Sequence, residues 1–188
     1  EQREQIPGEI FKVGDHIKAY VLDVVMATRG SQIFLSRTNN NMLIKLFESE
    51  VTEIYENVIE IRACAREPGQ KAKVAVFASD SSVDPVAACI GIKGSKIKAI
   101  MREVAGERID VIEWNPNLAD FIISAMSPAA ISRIILDENK RRASVVVAED
   151  QLSLAIGKKG QNVKLASKIA DVTIDIVTDE EDTQRRNS

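Results

Sequence analysis

Two copies of one glycine turn constrain the fold of this chain more than any other feature. Residues 90–94 read Ile-Gly-Ile-Lys-Gly, and residues 156–160 read Ile-Gly-Lys-Lys-Gly. The second copy lies 66 positions after the first. The same offset pairs Asp84 with Asp150, Ile97 with Val163, and Lys98 with Lys164. The chain therefore contains an internal duplication, and each copy is predicted to form one supersecondary unit.

Apolar periodicity and turn residues predict the same order of elements around both turns. For the first copy, we expect a helix after residue 39, strands at 58–65 and 71–77, a short helix capped by Asp84, a helix at 95–104 and a strand at 108–113. For the second copy, we expect a helix ending before Pro128, strands at 131–136 and 143–147, a short helix capped by Asp150, a helix after residue 160 and a strand at 172–176. The fold class is α+β, with the order α-β-β-α-α-β twice. The linker is so short that both turns are expected in fixed relation on one surface.

The two ends of the chain differ from the repeats. Residues 1–38 read as strands at 17–25 and 32–36 with turns at 14–15 and 28–31, which is too little to close a barrel. Residues 179–188 form a polar tail that is predicted to be disordered.

Composition excludes several classes of function. Cys64, Cys89 and the only histidine, His16, show no metal-ligand spacing and no Cys/His nucleophile pair, so we expect no metal, no cofactor and no enzyme activity. Both cysteines are predicted to fill the core. The glycine turns also lack the spacing of a nucleotide-binding loop. Apolar stretches are far shorter than a membrane span, so a cytosolic protein is the default expectation.

Positive charge is concentrated at the two turns, although the chain carries a net charge of −3. Four cations and one acid between residues 91 and 103 give a local net charge of +3, and four lysines between residues 157 and 168 give +4. The cations are Lys93, Lys96, Lys98 and Arg102 in the first copy, and Lys158, Lys159, Lys164 and Lys168 in the second. The alternative is that these lysines only solvate an exposed helix face.

The chemistry of such a turn favours an anion. Glycine lets the main chain approach a bulky partner, and the following helix directs its N–H groups and positive dipole end at the turn. Lysine adds charge, and a neighbouring apolar groove can receive unstacked bases. The alternative is a helix-turn-helix corner that needs glycine only for its geometry. Two copies of the glycine turn, each containing lysine, favour nucleic acid as the ligand.

With this element order, the chain resembles KH-domain proteins of the bacterial type (type II). Residues 14–21 and 33–37 resemble the last strands of an OB-fold of the ribosomal-protein-S-one type. An OB segment followed by two KH modules resembles the NusA family of transcription elongation factors, as do the phrases at 66–76 and 151–163. The resemblance implies four segments: the end of an OB-fold (1–38), two KH modules (39–114 and 115–178) and the polar tail (179–188).

The resemblance also implies a function. A member of this family is expected to be a monomeric, cytoplasmic bacterial protein that modulates RNA polymerase pausing, termination and antitermination. Its expected partners are single-stranded RNA (nascent transcript or ribosomal RNA leader), RNA polymerase and other antitermination factors. No association with a membrane is expected. The alternatives are a general RNA chaperone or ribosome-associated KH protein, and a pure protein-interaction module.

Carried onto this sequence, the resemblance gives a set of RNA-binding residues. They are Gly91, Ile92, Lys93, Gly94, Lys96, Gly157, Lys158, Lys159, Gly160, Gln161 and Asn162. The chain departs from the family pattern at Ala88-Cys89, where glycine and alanine are usual. It also begins inside the OB motif, which suggests a fragment lacking the polymerase-binding domain of the family.

Overall fold

The N-terminal segment folds as a β-hairpin. In the computed structural model, which describes residues 1–188, strand β1 (Tyr20–Ala27) pairs antiparallel with strand β2 (Gly30–Ser36). Ala27 lies opposite Gly30, so residues 28 and 29 form a tight connection. Both predicted strands are present, although β1 begins and ends later than predicted. The hairpin forms a two-stranded sheet by itself, and many of its apolar side chains are exposed.

Arg37 ties the residues before the hairpin to the rest of the first unit. Its Nε donates to Glu9 Oε2 at 2.8 Å and its Nη2 to Glu9 Oε1 at 2.6 Å. The same Nη2 donates to the backbone oxygen of Glu103 at 2.7 Å. A bidentate guanidinium–carboxylate pair is a strong, directional contact, and it raises the pKa of Arg37. The N-terminal residues are therefore ordered by a charged anchor.

The first repeat begins with two helices. Helix α1 (Asn40–Glu50) starts at Asn39, whose side-chain oxygen accepts from the Asn41 N–H at 2.8 Å. Its buried face consists of Met42, Leu43, Leu46 and Phe47, the spacing of an amphipathic helix. The short helix α2 (Thr52–Tyr55) follows directly.

A three-stranded sheet and two further helices complete this repeat. The strands β3 (Glu60–Glu67), β4 (Lys71–Phe77) and β5 (Arg108–Glu113) lie in the order β3-β4-β5. Between β4 and β5 run helices α3 (Pro85–Ile90) and α4 (Ser95–Glu103). Asp84 caps α3 as predicted, because its Oδ1 accepts from the Ala87 N–H at 3.1 Å. The predicted order α-β-β-α-α-β is confirmed for this repeat.

A buried ion pair fixes the turn between β3 and β4. Arg66 Nη2 lies 2.8 Å from Glu107 Oε1, and the two side chains are 1% and 0% exposed. Glu107 Oε1 also accepts from the Gly69 N–H at 2.8 Å, and Arg66 donates to the backbone oxygen of Asn39 at 2.8 Å. These hydrogen bonds satisfy both charges, which buried charges require.

The second repeat has the same architecture. Helix α5 (Leu118–Ala125) starts at Asn117, followed by β6 (Arg133–Asp137), β7 (Arg142–Val147), α6 (Leu152–Ile156), α7 (Gln161–Ala170) and β8 (Thr173–Thr178). β7 pairs antiparallel with β6 and parallel with β8. One apolar cluster includes Phe121 of α5, Val145 of β7 and Leu165 of α7. The predicted element order is confirmed for this repeat as well.

Two predictions about local structure are wrong. Asp150 does not cap α6: it lies in a short 3-10 turn (Glu149–Gln151), and α6 has no side-chain cap. The polar tail is not disordered, because α8 (Asp179–Asn187) is a helix. Thr178 and Glu181 form a capping box at its start, and the acidic first turn complements the helix dipole. Asp182 is buried against Arg133 and Arg186, which attaches the helix to its own unit.

The chain divides into two compact units. The first consists of Glu1–Ile61, Arg66–Ala72 and Ala78–Ile109, and contains the hairpin and α1 to α4. The second consists of Arg62–Ala65, Lys73–Phe77 and Asp110–Ser188, and contains α5 to α8 with β6 to β8. Strands β3, β4 and β5 contribute residues to both units.

Candidate nucleic-acid interface

The two glycine turns have the same backbone conformation. Gly91 has φ 76° and ψ 174°, and Gly157 has φ 77° and ψ 170°. The last glycine of each turn, Gly94 or Gly160, is left-handed, with φ 73° and 71°. The internal duplication is therefore preserved at the level of single dihedral angles, and not only in the sequence.

The first glycine of each turn is required by close packing. A Cβ atom added at Gly91 would lie 2.7 Å from Lys96 Cγ, and one added at Gly157 would lie 2.7 Å from Asn162 Cβ. At Gly160 no atom lies within 4 Å of such a Cβ, so only its positive φ favours glycine there. Close packing and positive φ therefore explain the glycines, as expected for a helix-turn-helix corner that needs glycine only for its geometry. Evidence for a ligand has to come from the residues between the glycines.

The third position of each turn places a lysine in a strained conformation. Lys93 has φ 55° and ψ 27°, and Lys159 has φ 54° and ψ 27°. A left-handed conformation costs a residue with a Cβ roughly 1–2 kcal/mol. Backbone strain of this kind is concentrated at functional sites in proteins. A strained lysine at the same place in both copies is therefore an indication of a functional site.

The side chains at the tips of the turns face solvent. Ile92 is 85% exposed, and Lys93, Lys158 and Lys159 are all exposed and form no ion pair. In the second copy, Lys164 and Lys168 are also exposed without an ion pair. In the first copy, Lys98 Nζ donates to the backbone oxygen of Lys93 at 3.1 Å. Both turns therefore present uncompensated positive charge, and the second presents more.

The helices behind the turns begin without a side-chain cap, as the short helices α2 and α6 also do. Four helices start with a side chain that accepts a backbone N–H, provided by Asn39, Asp84, Asn117 and Thr178. Helices α4 and α7 instead start at Gly94 and Gly160, which have no side chain to act as a cap. The positive dipole end of each helix is left uncapped beside the exposed lysines, an arrangement suited to an anion such as phosphate.

Three of the predicted RNA-binding side chains do not project freely from the turns. Gln161 and Asn162 are buried, and Asn162 Nδ2 donates to the backbone oxygens of Ala155 and Met126 at 3.0 and 3.1 Å. Lys96 Nζ lies 3.6 Å from Glu53 Oε2. One signal for these positions is present in the sequence, because Lys96 and Asn162 are related by the same 66-residue offset as the turns. Nothing in the sequence pointed to Glu53.

A cysteine lies in α3, just before the first turn. Cys89 is buried, and its burial, with the charge of Glu53 nearby, raises the pKa of its thiol to about 12. A thiol with such a pKa is a poor nucleophile. No group of three His, Cys, Asp or Glu side chains is placed to hold a metal ion. No helix is both long and apolar enough to cross a membrane.

The two repeats are KH domains, as comparison with known families shows. Residues 37–114 match the NusA-like first KH domain, and residues 118–184 match the NusA-like second KH domain. The fold is also similar to the crystal structure of APE1850, with a TM-score of 0.53 and 24% sequence identity over 74% of this chain and 96% of that one. The chain is therefore a tandem KH protein of the α+β class with a β segment before the first domain.

Individual relatives narrow the class further. The chain is 52% identical over 97% of its length to the transcription termination/antitermination protein NusA of Rickettsia conorii. It is 43% identical over 92% of its length to the protein of the same name from Bacillus subtilis. The chain belongs to the NusA family. It spans 37% of the Rickettsia relative and 47% of the Bacillus relative.

Proposed function

We propose that this chain binds single-stranded RNA through both glycine turns. The observation that carries the proposal is the repeated turn itself: two strained lysines in one conformation, each beside an uncapped helix start. Backbone N–H groups and lysine at such a turn suit the phosphates of a nucleic-acid strand, and a KH domain clamps about four nucleotides. The turn residues Gly91, Ile92, Lys93 and Gly94 form the first clamp, and Gly157, Lys158, Lys159 and Gly160 the second.

Burial decides the roles of two of the three adjoining residues. Lys96, Gln161 and Asn162 are all predicted RNA contacts, but only exposed groups can reach a strand directly. Asn162 is 0% exposed and its amide hydrogen bonds lie inside its unit, which argues against direct contact by that side chain. Gln161 is also buried. We therefore assign no direct contact to Gln161 or Asn162. Burial does not decide the role of Lys96, whose side chain is 31% exposed.

The proposed biological role is in transcription. Relatives that carry the name transcription termination/antitermination protein support a bacterial, cytoplasmic protein that acts on RNA polymerase pausing, termination and antitermination. The partners proposed are the nascent transcript or a ribosomal RNA leader, RNA polymerase and other antitermination factors. We further propose that the monomer holds one continuous RNA strand with both modules, 39–114 and 115–178, and that residues 1–38 belong to an OB-fold.

Charge reversal at the turns tests RNA binding. We expect Ile92→Asp with Lys93→Asp, or Lys158→Asp with Lys159→Asp, to abolish binding of a labelled single-stranded RNA while the circular dichroism spectrum stays unchanged. Lys45→Asp with Lys140→Asp is the control, since both side chains are exposed and make only surface ion pairs. Retained RNA affinity in either turn variant would overturn binding through both turns. Equal loss in the control would show that only net charge matters.

A further inference from the structure

The fifth residue after the first glycine packs back over the turn in both repeats. A Cβ atom at Gly91 would meet Lys96 Cγ, and one at Gly157 would meet Asn162 Cβ, each at 2.7 Å. The stems of these two side chains therefore cover the first glycine of their own turn. Both residues belong to the first turn of the helix that follows, α4 or α7.

In the second repeat, this contact continues as two hydrogen bonds. Asn162 Nδ2 donates to the Ala155 oxygen in α6 at 3.0 Å and to the Met126 oxygen just after α5 at 3.1 Å. The side chain is 0% exposed. One amide thus connects the start of α7 with the helix before the turn and with the end of the first helix of the repeat.

In the first repeat, an ion pair takes the same position. Lys96 Nζ lies 3.6 Å from Glu53 Oε2, and the side chains are 31% and 38% exposed. Glu53 belongs to α2, which directly follows α1, as Met126 directly follows α5. Glu53 Oε2 is itself buried and has no hydrogen-bond partner, so Lys96 is the positive charge that compensates it. The backbone oxygen of Glu53 accepts from the N–H groups of Val58 and Ile59, at 2.8 and 3.0 Å, which holds the residue in place.

We infer that Lys96 and Asn162 are equivalent positioning residues that brace the glycine turns. Each connects the helix after the turn to the end of the first helical segment of its repeat, one by an ion pair and the other by a neutral amide. The inference rests on the proposed RNA binding and deepens it, because it removes Lys96 from the residues that hold phosphate. The phosphate contacts of the first turn are then provided by Lys93 and the backbone.

The opposing interpretation is that Lys96 releases Glu53 and binds a phosphate directly. The two interpretations differ in salt dependence, since each lysine–phosphate contact with a single strand contributes about −0.7 to the slope of log affinity against log salt. A brace contributes nothing to that slope. They also differ in the effect of removing the Glu53 carboxylate. If Lys96 braces the turn, this removal weakens RNA binding. If Lys96 binds phosphate, the removal frees the lysine and strengthens RNA binding.

The first experiment measures the salt slope of RNA binding for Lys96→Met, with Lys158→Met as the reference for a direct contact. We expect Lys96→Met to weaken RNA binding by up to about fivefold, which is the upper range for the loss of a half-exposed ion pair. Its salt slope should equal that of the parent protein. Lys158→Met should reduce the slope by about 0.7. A reduced slope in Lys96→Met would overturn the brace. An unchanged slope in Lys158→Met would count against the proposed RNA contact instead.

The second experiment exchanges the charges. Lys96→Glu alone should weaken RNA binding, and adding Glu53→Lys should restore it to within about twofold of the parent, because the ion pair is re-formed in reverse. If Lys96 binds phosphate, the double variant stays weak, since a carboxylate remains at the RNA surface. Glu53→Gln alone should also weaken binding, and stronger binding would identify Glu53 as a competitor and overturn the brace.

The second repeat provides an independent check. Asn162→Ala should lower RNA affinity with an unchanged salt slope, although the side chain is buried and uncharged. Unchanged affinity in a folded Asn162→Ala variant would overturn the equivalence of the two positions. If that variant does not fold, the charge exchange at Glu53 and Lys96 decides the question.

Discussion

Lys93 and Lys159 share one left-handed backbone conformation, with φ of 55° and 54° and ψ of 27° at both. The residues lie in different repeats of the chain, and the residues before them differ, Ile92 in one turn and Lys158 in the other. The common conformation is therefore a property of the turn and of the helices on either side of it. It presents a lysine at the start of α4 and of α7 in the same way.

The charge of the two turns predicts a strong salt dependence. With about four phosphates held by each module and a slope of about −0.7 per phosphate, log affinity for single-stranded RNA should fall by about five to six per decade of salt. Fluorescence anisotropy titrations over a series of salt concentrations measure this slope. An RNA affinity that does not change with salt would mean that the lysines only solvate the surface. The turns would then be helix-turn-helix corners that need glycine only for their geometry.

The two glycines of the second turn should differ in their tolerance of alanine. Gly160→Ala is expected to cost about 1–2 kcal/mol, because only the left-handed conformation opposes it. Gly157→Ala should cost about 1–3 kcal/mol more, since its Cβ would meet Asn162 Cβ at 2.7 Å and Asn162 N at 2.8 Å. Urea unfolding of both variants measures the difference. Equal costs would show that α7 shifts freely to admit the methyl group.

The buried pair of Arg66 and Glu107 should be costly to break from one side. Arg66→Met leaves the Glu107 carboxylate buried without its cation, and we expect a loss of about 3–5 kcal/mol of unfolding free energy. The double variant Arg66→Met with Glu107→Leu should lose less unfolding free energy, because no unpaired charge is then buried. Denaturant unfolding curves for the two variants provide the comparison. A single variant within 1 kcal/mol of the parent, a change on the order of an ordinary surface pair, would contradict the burial of this pair.

The attachment of the C-terminal helix should be sensitive to acid. The hydrogen bond from Arg133 lowers the pKa of Asp182 below its usual 3.8, so the stabilising contribution is present above that value and is lost as the pH falls through the lowered pKa. Asp182→Asn should be less stable at neutral pH, and its deficit should shrink in this acidic range. Unfolding curves of both proteins as a function of pH measure the difference.

A control for this acid effect lies in the same helix. Glu180 is exposed, and Glu180→Gln removes one carboxylate from α8 without affecting the pair with Arg133. We expect its stability to follow that of the parent at every pH. A deficit in Asp182→Asn that is the same at all pH values would mean that the pair with Arg133 does not stabilise the folded chain.

Local signals predicted most of the fold. The apolar spacing of Leu43, Leu46 and Phe47 predicted the buried face of α1, and Asp84 before Pro85 predicted the start of α3. Such signals act over one or two helical turns and can be read directly. Asp150 failed as a cap because the chain forms a 3-10 turn there before α6 begins. The prediction of a disordered tail overlooks the local capping-box pattern of Thr178 and Glu181. The contact that attaches the helix, from Arg133 to Asp182, joins residues 49 positions apart and has no local signal.

The amino-acid sequence by itself determined the duplication, the order of the elements and the positions of the two charged turns, because periodicity, glycine and proline act locally. Only the tertiary structure decided which basic and polar residues beside those turns face solvent. Lys93 and Lys159 do, whereas Asn162 is buried and Lys96 lies against Glu53. The physical reason is that burial and ion pairing depend on residues distant in the chain, and the same offset of 66 positions that equates Lys96 with Asn162 says nothing about their partners.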